Sequence, residues 1–500
     1  MSKTPDTKLF ELIKSLSQTE KRYFKVGVGA SGGNNSHQFI ELFDCIASMD
    51  NYDENELKKA LNEGKGAKHL AFRKSHLYDT ILSSLRNYHK NKSTEFQVLN
   101  LLQDIKITFD RGLFLQSEKL LKKLKRICKT YNLNQYLISV TFWEQKLIGN
   151  LKGKAFIDES KYETEKVLVQ ALINEQQELL SYLKKGMKFW SLRIALLDLY
   201  RFEEAGLKKP IEQFKNELIA CLNSDPPNQN HFEFIVQTHT INSMIYYFEG
   251  NYNASVNAQK KLIHLLEKEQ KFIKNNINNY ASEINNFLAA SFDADKTDDV
   301  EKWLGVLKAL LSNIDVRSNV YLNSRIFSFY QINSLRYYNY QSSYQESLDC
   351  FDRERYLRLK KYINPYKHFQ LQYNMAVAYF FRNDFHEALK WINSIVNSSV
   401  KVRPMDMSFI RVLLYLTHFK RGNFFIIENA CNSKDKTIRI NVDSNPPEKL
   451  IATYLTKISL KPNTVKELQK KLISEYDNAV TDKNSIHKDL LIFLKKELLK

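Results

Sequence analysis

The stretch NMAVAYFFRNDFHEALKWI, Asn374–Ile392, decides how the chain is read. Met375, Ala376 and Tyr379 share one helical face, with Tyr373 close by. After Arg382-Asn383-Asp384, the residues Phe385, Ala388, Leu389 and Ile392 recur at spacings of three and four, the apolar stripe of a second helix. Asp384 and Glu387 form an Asp-x-x-Glu pattern that satisfies orphan amides at the start of that helix. Ala388 is small where two backbones approach each other. The stretch predicts an antiparallel helical hairpin.

Similar turns recur along the chain. They are FDRGLFLQSEKLL around Gly112, EEAGLKKPIEQF around Gly206, YFEGNYNASVN around Gly250, DADKTDDVEKWL around Thr297, and HFKRGNFFIIENA around Gly422. NYQSSYQESLDCF centres on Ser342 and carries a capping box from Ser343 to Glu346. From Gly206 to Gly422, with Asn383 standing for the first stretch, successive centres lie 44, 47, 45, 41 and 39 residues apart. A near-constant period of this size predicts a solenoid of stacked hairpins.

These residues resemble the tetratricopeptide repeat family. Ala376, Tyr379, Asn383, Phe385, Ala388 and Ile392 match its pattern, followed by Tyr246, Gly250, Tyr252 and Ser255, and in part by Gly112, Phe114 and Ser117. The resemblance spans residues 95 to 432, with periods longer than the family's roughly 34 residues; peptide-sensing repeat regulators of the Rap and PlcR kind are similar in period. It implies an all-α fold, a right-handed superhelical array whose first helices line a concave groove. Polar residues early in those helices would then meet a peptide or protein. Asn333 and Asn374 occupy one repeat position and Asn242 lies one residue off it. Carboxamides suit the task because each donates to and accepts from an extended backbone. Arg336, one turn beyond Asn333, would hold a carboxylate in a bidentate pair.

Composition narrows the classes further. The 500 residues carry 74 Lys plus Arg against 56 Asp plus Glu, a net charge of +18. That excess favours acidic partners. With only 14 Gly and 9 Pro, the chain lacks the turn residues an all-β architecture needs. Five scattered cysteines with no Cys-x-x-Cys pair argue against a disulfide framework and against a cysteine zinc site. The N-terminal MSKTPDTKLFELIKSLSQ has charges inside its apolar stretch and does not read as a signal peptide. No long uncharged run suits a bilayer, so a cytoplasmic chain with no membrane contact is expected.

The organisation expected is a helical N-terminal subdomain over residues 1–93, the repeat array over 94–440 and a helical C-terminal cap over 441–500. Solenoids need such caps to cover the last apolar face. TIRINV, residues 437–442, is the one short alternating segment that suits a strand.

Catalytic and cofactor patterns fail on context. GVGASGG places Gly27, Gly29 and Gly32 in dinucleotide-fingerprint spacing, but a buried strand before it and a helix directly after it are both missing, so a loop is expected. His69 and His76 are seven residues apart, too far along a helix to chelate one ion unaided. No Gly-x-Ser-x-Gly elbow or poised cysteine appears. Glu203 with Glu204 and Asp298 with Asp299 read as helix-end charges. No cofactor and no enzymatic activity are expected.

An alternative reading uses basic faces. In SEKLLKKLKRICKTY, the cations Lys119, Lys122, Lys123, Arg126 and Lys129 fall opposite Leu120, Leu121, Leu124 and Ile127. In FDRERYLRLKKYINPYKH, the cations Arg355, Arg358 and Lys361 run along one stripe near Tyr356, Tyr362 and Tyr366. Such stripes suit phosphate contact and base stacking on RNA or single strands, with N-terminal helices that imitate a helix-turn-helix around a long gap. Equally, lysines on an outer helical face simply snorkel to water.

Overall fold

The computed structural model describes residues 7–30, 36–61, 70–151, 159–202, 208–223, 232–398, 404–423 and 425–426. Among them every regular element is a helix, so the fold is all-α. The TIRINV segment, the Gly206 turn and the C-terminal cap lie outside the described residues. The chain divides into two compact units at Leu183/Lys184.

The first unit holds α1 (Lys8–Ser15), α2 (Gln18–Ala30), α3 (Ser36–Ser48), α4 (Glu54–Ala60), α5 (Leu70–His89), α6 (Thr94–Asp110), α7 (Phe114–Thr130), α8 (Asn134–Leu151) and the start of the 44-residue α9 (Glu159–Phe202). A capping box precedes α2. Ser17 N and Oγ donate to Glu20 Oε2 at 2.8 and 2.6 Å, and Glu20 N donates back to Ser17 Oγ. One expectation is corrected here: Gly27 and Gly29 are helical, not loop. Phe24 and Val28, one turn apart, are buried in the core of the subdomain, and that anchorage outweighs the roughly 1 kcal/mol each glycine costs a helix.

The second unit continues α9 with α10 (Lys208–Asn223), α11 (Phe232–Phe248), α12 (Tyr252–Lys268), α13 (Gln270–Asn275), α14 (Ile277–Asp293), α15 (Val300–Ser312), α16 (Ile314–Ser318), α17 (Val320–Tyr340), α18 (Tyr344–Asp349), α19 (Arg353–Leu359), a 3-10 turn (Lys360–Tyr362), α20 (Pro365–Phe381), α21 (Phe385–Val396) and α22 (Pro404–Lys420). Helices adjacent in sequence pack as pairs, α11 on α12, α14 on α15, α17 on α18 and α20 on α21. Each pair also touches the next through α12 with α14, α14 with α17, and α17 with α20.

The turns explain the pairing. Gly112, Asn132, Gly250, Asp295, Ser342, Asn383 and Gly422 all have left-handed backbone, with φ between 53° and 74°. The next residue's amide then bonds back to a carbonyl five positions earlier, as in Asn251 to Tyr246, Lys296 to Ser291, Ser343 to Tyr338 and Asp384 to Tyr379. This is the Schellman closure, which satisfies carbonyls the helix leaves open. Gly tolerates it because it has no Cβ, and Asn and Asp because their short polar side chains can bond the local backbone. Five of the expected centres carry this geometry themselves. The sixth shifts from Thr297 to Asp295, which tolerates the same backbone, and Asn132 adds a closure the glycine pattern did not mark. Ser343, expected to cap α18, makes no side-chain cap bond.

A small buried residue follows four of these turns by five positions: Ser117, Ser255, Ser347 and Ala388. The three serine hydroxyls donate to Ile105, Ser243 and Leu335 carbonyls twelve residues back, at 3.4, 3.0 and 3.4 Å. Ala376 stands in the same relation to Ala388, and both are fully buried. Small side chains at this level let the two backbones of each hairpin close together.

Candidate binding surfaces

The first helices of successive hairpins in the second unit are linked by polar side chains. Thr240 Oγ1 donates to Glu283 at 3.1 Å, Arg325 to Ser282 Oγ at 3.1 Å, and Arg336 to Asp293 at 2.6 Å, each across 43 residues of sequence. One repeat period therefore separates partners on neighbouring helices.

That stitching accounts for several residues expected to face a ligand. Asn333 is 3% exposed, and its Nδ2 donates to Asn285 Oδ1 at 3.1 Å and to the Phe329 carbonyl at 2.7 Å. Asn374 likewise donates to the carbonyl four residues back, at 2.8 Å, while its own carbonyl accepts from Asn339. Asn242 is half-buried on α11. The carboxylate expected for Arg336 comes from within the chain. Asp293, 2% exposed at its side chain, accepts from Arg336 and from Tyr247 Oη at 2.5 Å, and the guanidinium lies 4.7 Å from the Phe292 ring centroid.

Beside that pair stand two cations that sequence reading did not single out. Arg325 on α17 and Lys367 on α20 both lie over the Phe329 ring, 5.3 and 5.5 Å from its centroid. Arg325 donates to Tyr321 Oη at 3.1 Å as well as to Ser282, and its Nε is buried without an acceptor. Lys367 Nζ donates to Gln370 Oε1 at 3.1 Å. Among the described residues, no carboxylate lies within ion-pairing reach of either. Burial pushes the Lys367 ammonium down to about 8, helped by the positive charges of Arg325 and Arg336. By solvent access the side chain is half-buried. A usable signal was present: Arg325 precedes Ser342 by 17 residues and Lys367 precedes Asn383 by 16, so both sit early in a first helix, where the family resemblance puts ligand contacts.

Nearby, Glu283 is buried, and desolvation raises its carboxyl above the usual range despite the Arg193 charge and the bonds from Asn286, Thr240 and Gln259.

The basic face of α7 is placed as expected. Lys119, Lys122, Lys123, Arg126 and Lys129 are all exposed, while Leu121 and Leu124 are buried beneath them and Leu120 and Ile127 partly so. Lys122 pairs with Glu118 at 2.8 Å and Lys129 with Glu175 at 3.4 Å. The second stripe is not assembled. α19 ends at Leu359 and runs into the 3-10 turn, and Pro365 disfavours helical backbone at Asn364, which caps α20 instead. Arg355 turns inward to Asn323 Oδ1 at 2.6 Å, whereas Arg358 and Lys361 stay exposed.

His76 stacks on Phe39, with centroids 4.8 Å apart; His69 lies outside the described residues. Among those residues no helix is long and apolar enough to cross a membrane. Compared with known proteins, the chain matches no family model, no curated protein and no solved structure.

Proposed function

We propose that the chain is a non-enzymatic binding scaffold, a tetratricopeptide-like superhelical array whose concave side receives an acidic peptide or protein segment. The reading is carried by Arg325 and Lys367, two partly buried cations near one aromatic ring with no carboxylate in ion-pairing reach among the described residues. Partly buried charge without a counter-charge is costly, and a ligand carboxylate relieves that cost. The recurring closures at Gly250, Asp295, Ser342 and Asn383 support an array, since each turn delivers another first helix beside the last.

The test is a fluorescence-anisotropy titration of the full chain with a labelled 20-residue acidic peptide and with a basic peptide of equal length. The acidic peptide should bind, weaken with salt and lose at least tenfold in affinity in Arg325→Gln. Equal binding of both peptides, or none of either, refutes the reading. A second reading, nucleic-acid contact, is favoured by one observation, the exposed cations of α7. It requires steeply salt-dependent binding of single-stranded RNA or DNA that falls when Lys119, Lys123 and Arg126 are neutralised.

A further inference from the structure

We infer that the cation pair beside Phe329, Arg325 of α17 and Lys367 of α20, serves a doubly negative oxyanion group, a phosphoryl group or two adjacent carboxylates on the bound segment. The inference rests on the scaffold reading and specifies the chemistry of its ligand.

Charge beside Phe329 sets the requirement. Arg336 is neutralised by Asp293, which leaves Arg325 and Lys367 as two positive charges facing the same ring. A single carboxylate leaves one of them uncompensated, whereas a dianion answers both. Arg325 also keeps a buried Nε donor without an acceptor, and a buried donor in that state calls for a partner that the described residues do not supply. Charge-assisted bonds from guanidinium and ammonium to a phosphoryl or carboxylate oxygen are the strong class of hydrogen bond, and low local polarity strengthens them further. Phe329 supplies an apolar wall against which the carbon atoms of the ligand side chain can lie.

Protonation adds a signature. The charged groups facing Lys367 are Arg325 and Arg336 from α17, with Asp293 of α14 behind Arg336. Its ammonium is held to about 8, so binding should weaken above that pH as the charge is lost. A phosphoryl group becomes dianionic only above about pH 6, whereas paired glutamates stay charged down to about pH 4 to 5. Comparing the two probes at about pH 7, where both are doubly charged, therefore distinguishes the two sources.

The experiment titrates the full chain with short labelled peptides of one Gly/Ser/Ala sequence, carrying phosphoserine, Glu-Glu, a single Glu or none. A dianionic probe should bind at least tenfold tighter than the single-Glu probe. Arg325→Gln and Lys367→Met should each abolish that preference, with circular dichroism confirming that both variants fold. Tighter binding of the phosphoserine probe at about pH 7 identifies the phosphoryl source; tighter binding of the Glu-Glu probe identifies paired carboxylates. If all short probes bind alike while the 20-residue acidic peptide still binds, the dianion inference is overturned and the scaffold reading stands. If that peptide also fails to bind, both fall. Unchanged preference in the two folded variants also overturns the inference.

Discussion

Gly250 and Gly305 allow one substitution to be made twice with opposite expected signs. A Cβ built at either position meets no atom within 4 Å, so packing is absent from both cases. They differ in backbone alone. Gly250 closes the α11–α12 turn with φ of +74°, whereas Gly305 lies inside α15. In Gly250→Ala the new methyl crowds its own backbone in the left-handed region, a cost of roughly 1 to 2 kcal/mol, partly offset by a stiffer unfolded chain. In Gly305→Ala the helix gains by about 0.5 to 1 kcal/mol. The two variants should differ by roughly 2 kcal/mol, or about 2 °C between their melting temperatures in a chain of this size. Thermal unfolding of the full chain followed by circular dichroism at 222 nm (~helix signal) measures the difference. Gly250→Ala at or above the wild-type melting temperature would refute the claim that left-handed closures hold the hairpins.

Two further substitutions probe the charged groups between the first helices. Asp293→Asn removes the negative charge beside Arg336 and leaves one acceptor oxygen where Arg336 and Tyr247 now use two, so it should cost about 2 to 3 kcal/mol in urea unfolding; Arg336→Met in the same chain should recover part of that loss, and no recovery would separate the two residues energetically. Lys367→Met should stabilise the chain below pH 8, because the ammonium is disfavoured in the folded state and held to about 8 against 10.5. The unfolded chain binds more protons between those values, so wild-type stability should rise across that window relative to the variant. The displacement corresponds to roughly 3 kcal/mol as a ceiling, and the remaining solvent access reduces the expected gain to about 1 to 2 kcal/mol. A wild-type curve parallel to that of the variant through this window would contradict the enclosure of Lys367.

The hairpins were legible because a left-handed turn restricts residue type. Gly112, Gly250, Ser342, Asn383 and Gly422 announce themselves by identity and spacing. Asp295 and Asn132 were harder to see because their neighbours offer equally polar candidates, such as Thr297 and Asn134. Gly27 and Gly29 misled for the opposite reason: glycine permits a loop without requiring one, and Phe24 with Val28 decides the matter through packing. The α7 face was readable from helical periodicity alone. The roles of Asn333 and Arg336 were not, because their partners Asn285 and Asp293 lie 48 and 43 residues away. A side chain that serves the next hairpin carries the same local pattern as one that serves a ligand. Arg325 and Lys367 become conspicuous only when the shared Phe329 ring and the missing carboxylate are seen together.

The most direct measurement is amide hydrogen exchange of the full chain with and without the 20-residue acidic peptide. The account predicts slowed exchange at the start of α17 and of α20, around Arg325 and Lys367, with α7 unchanged. Protection confined to α7, or no protection anywhere at saturating peptide, would contradict it.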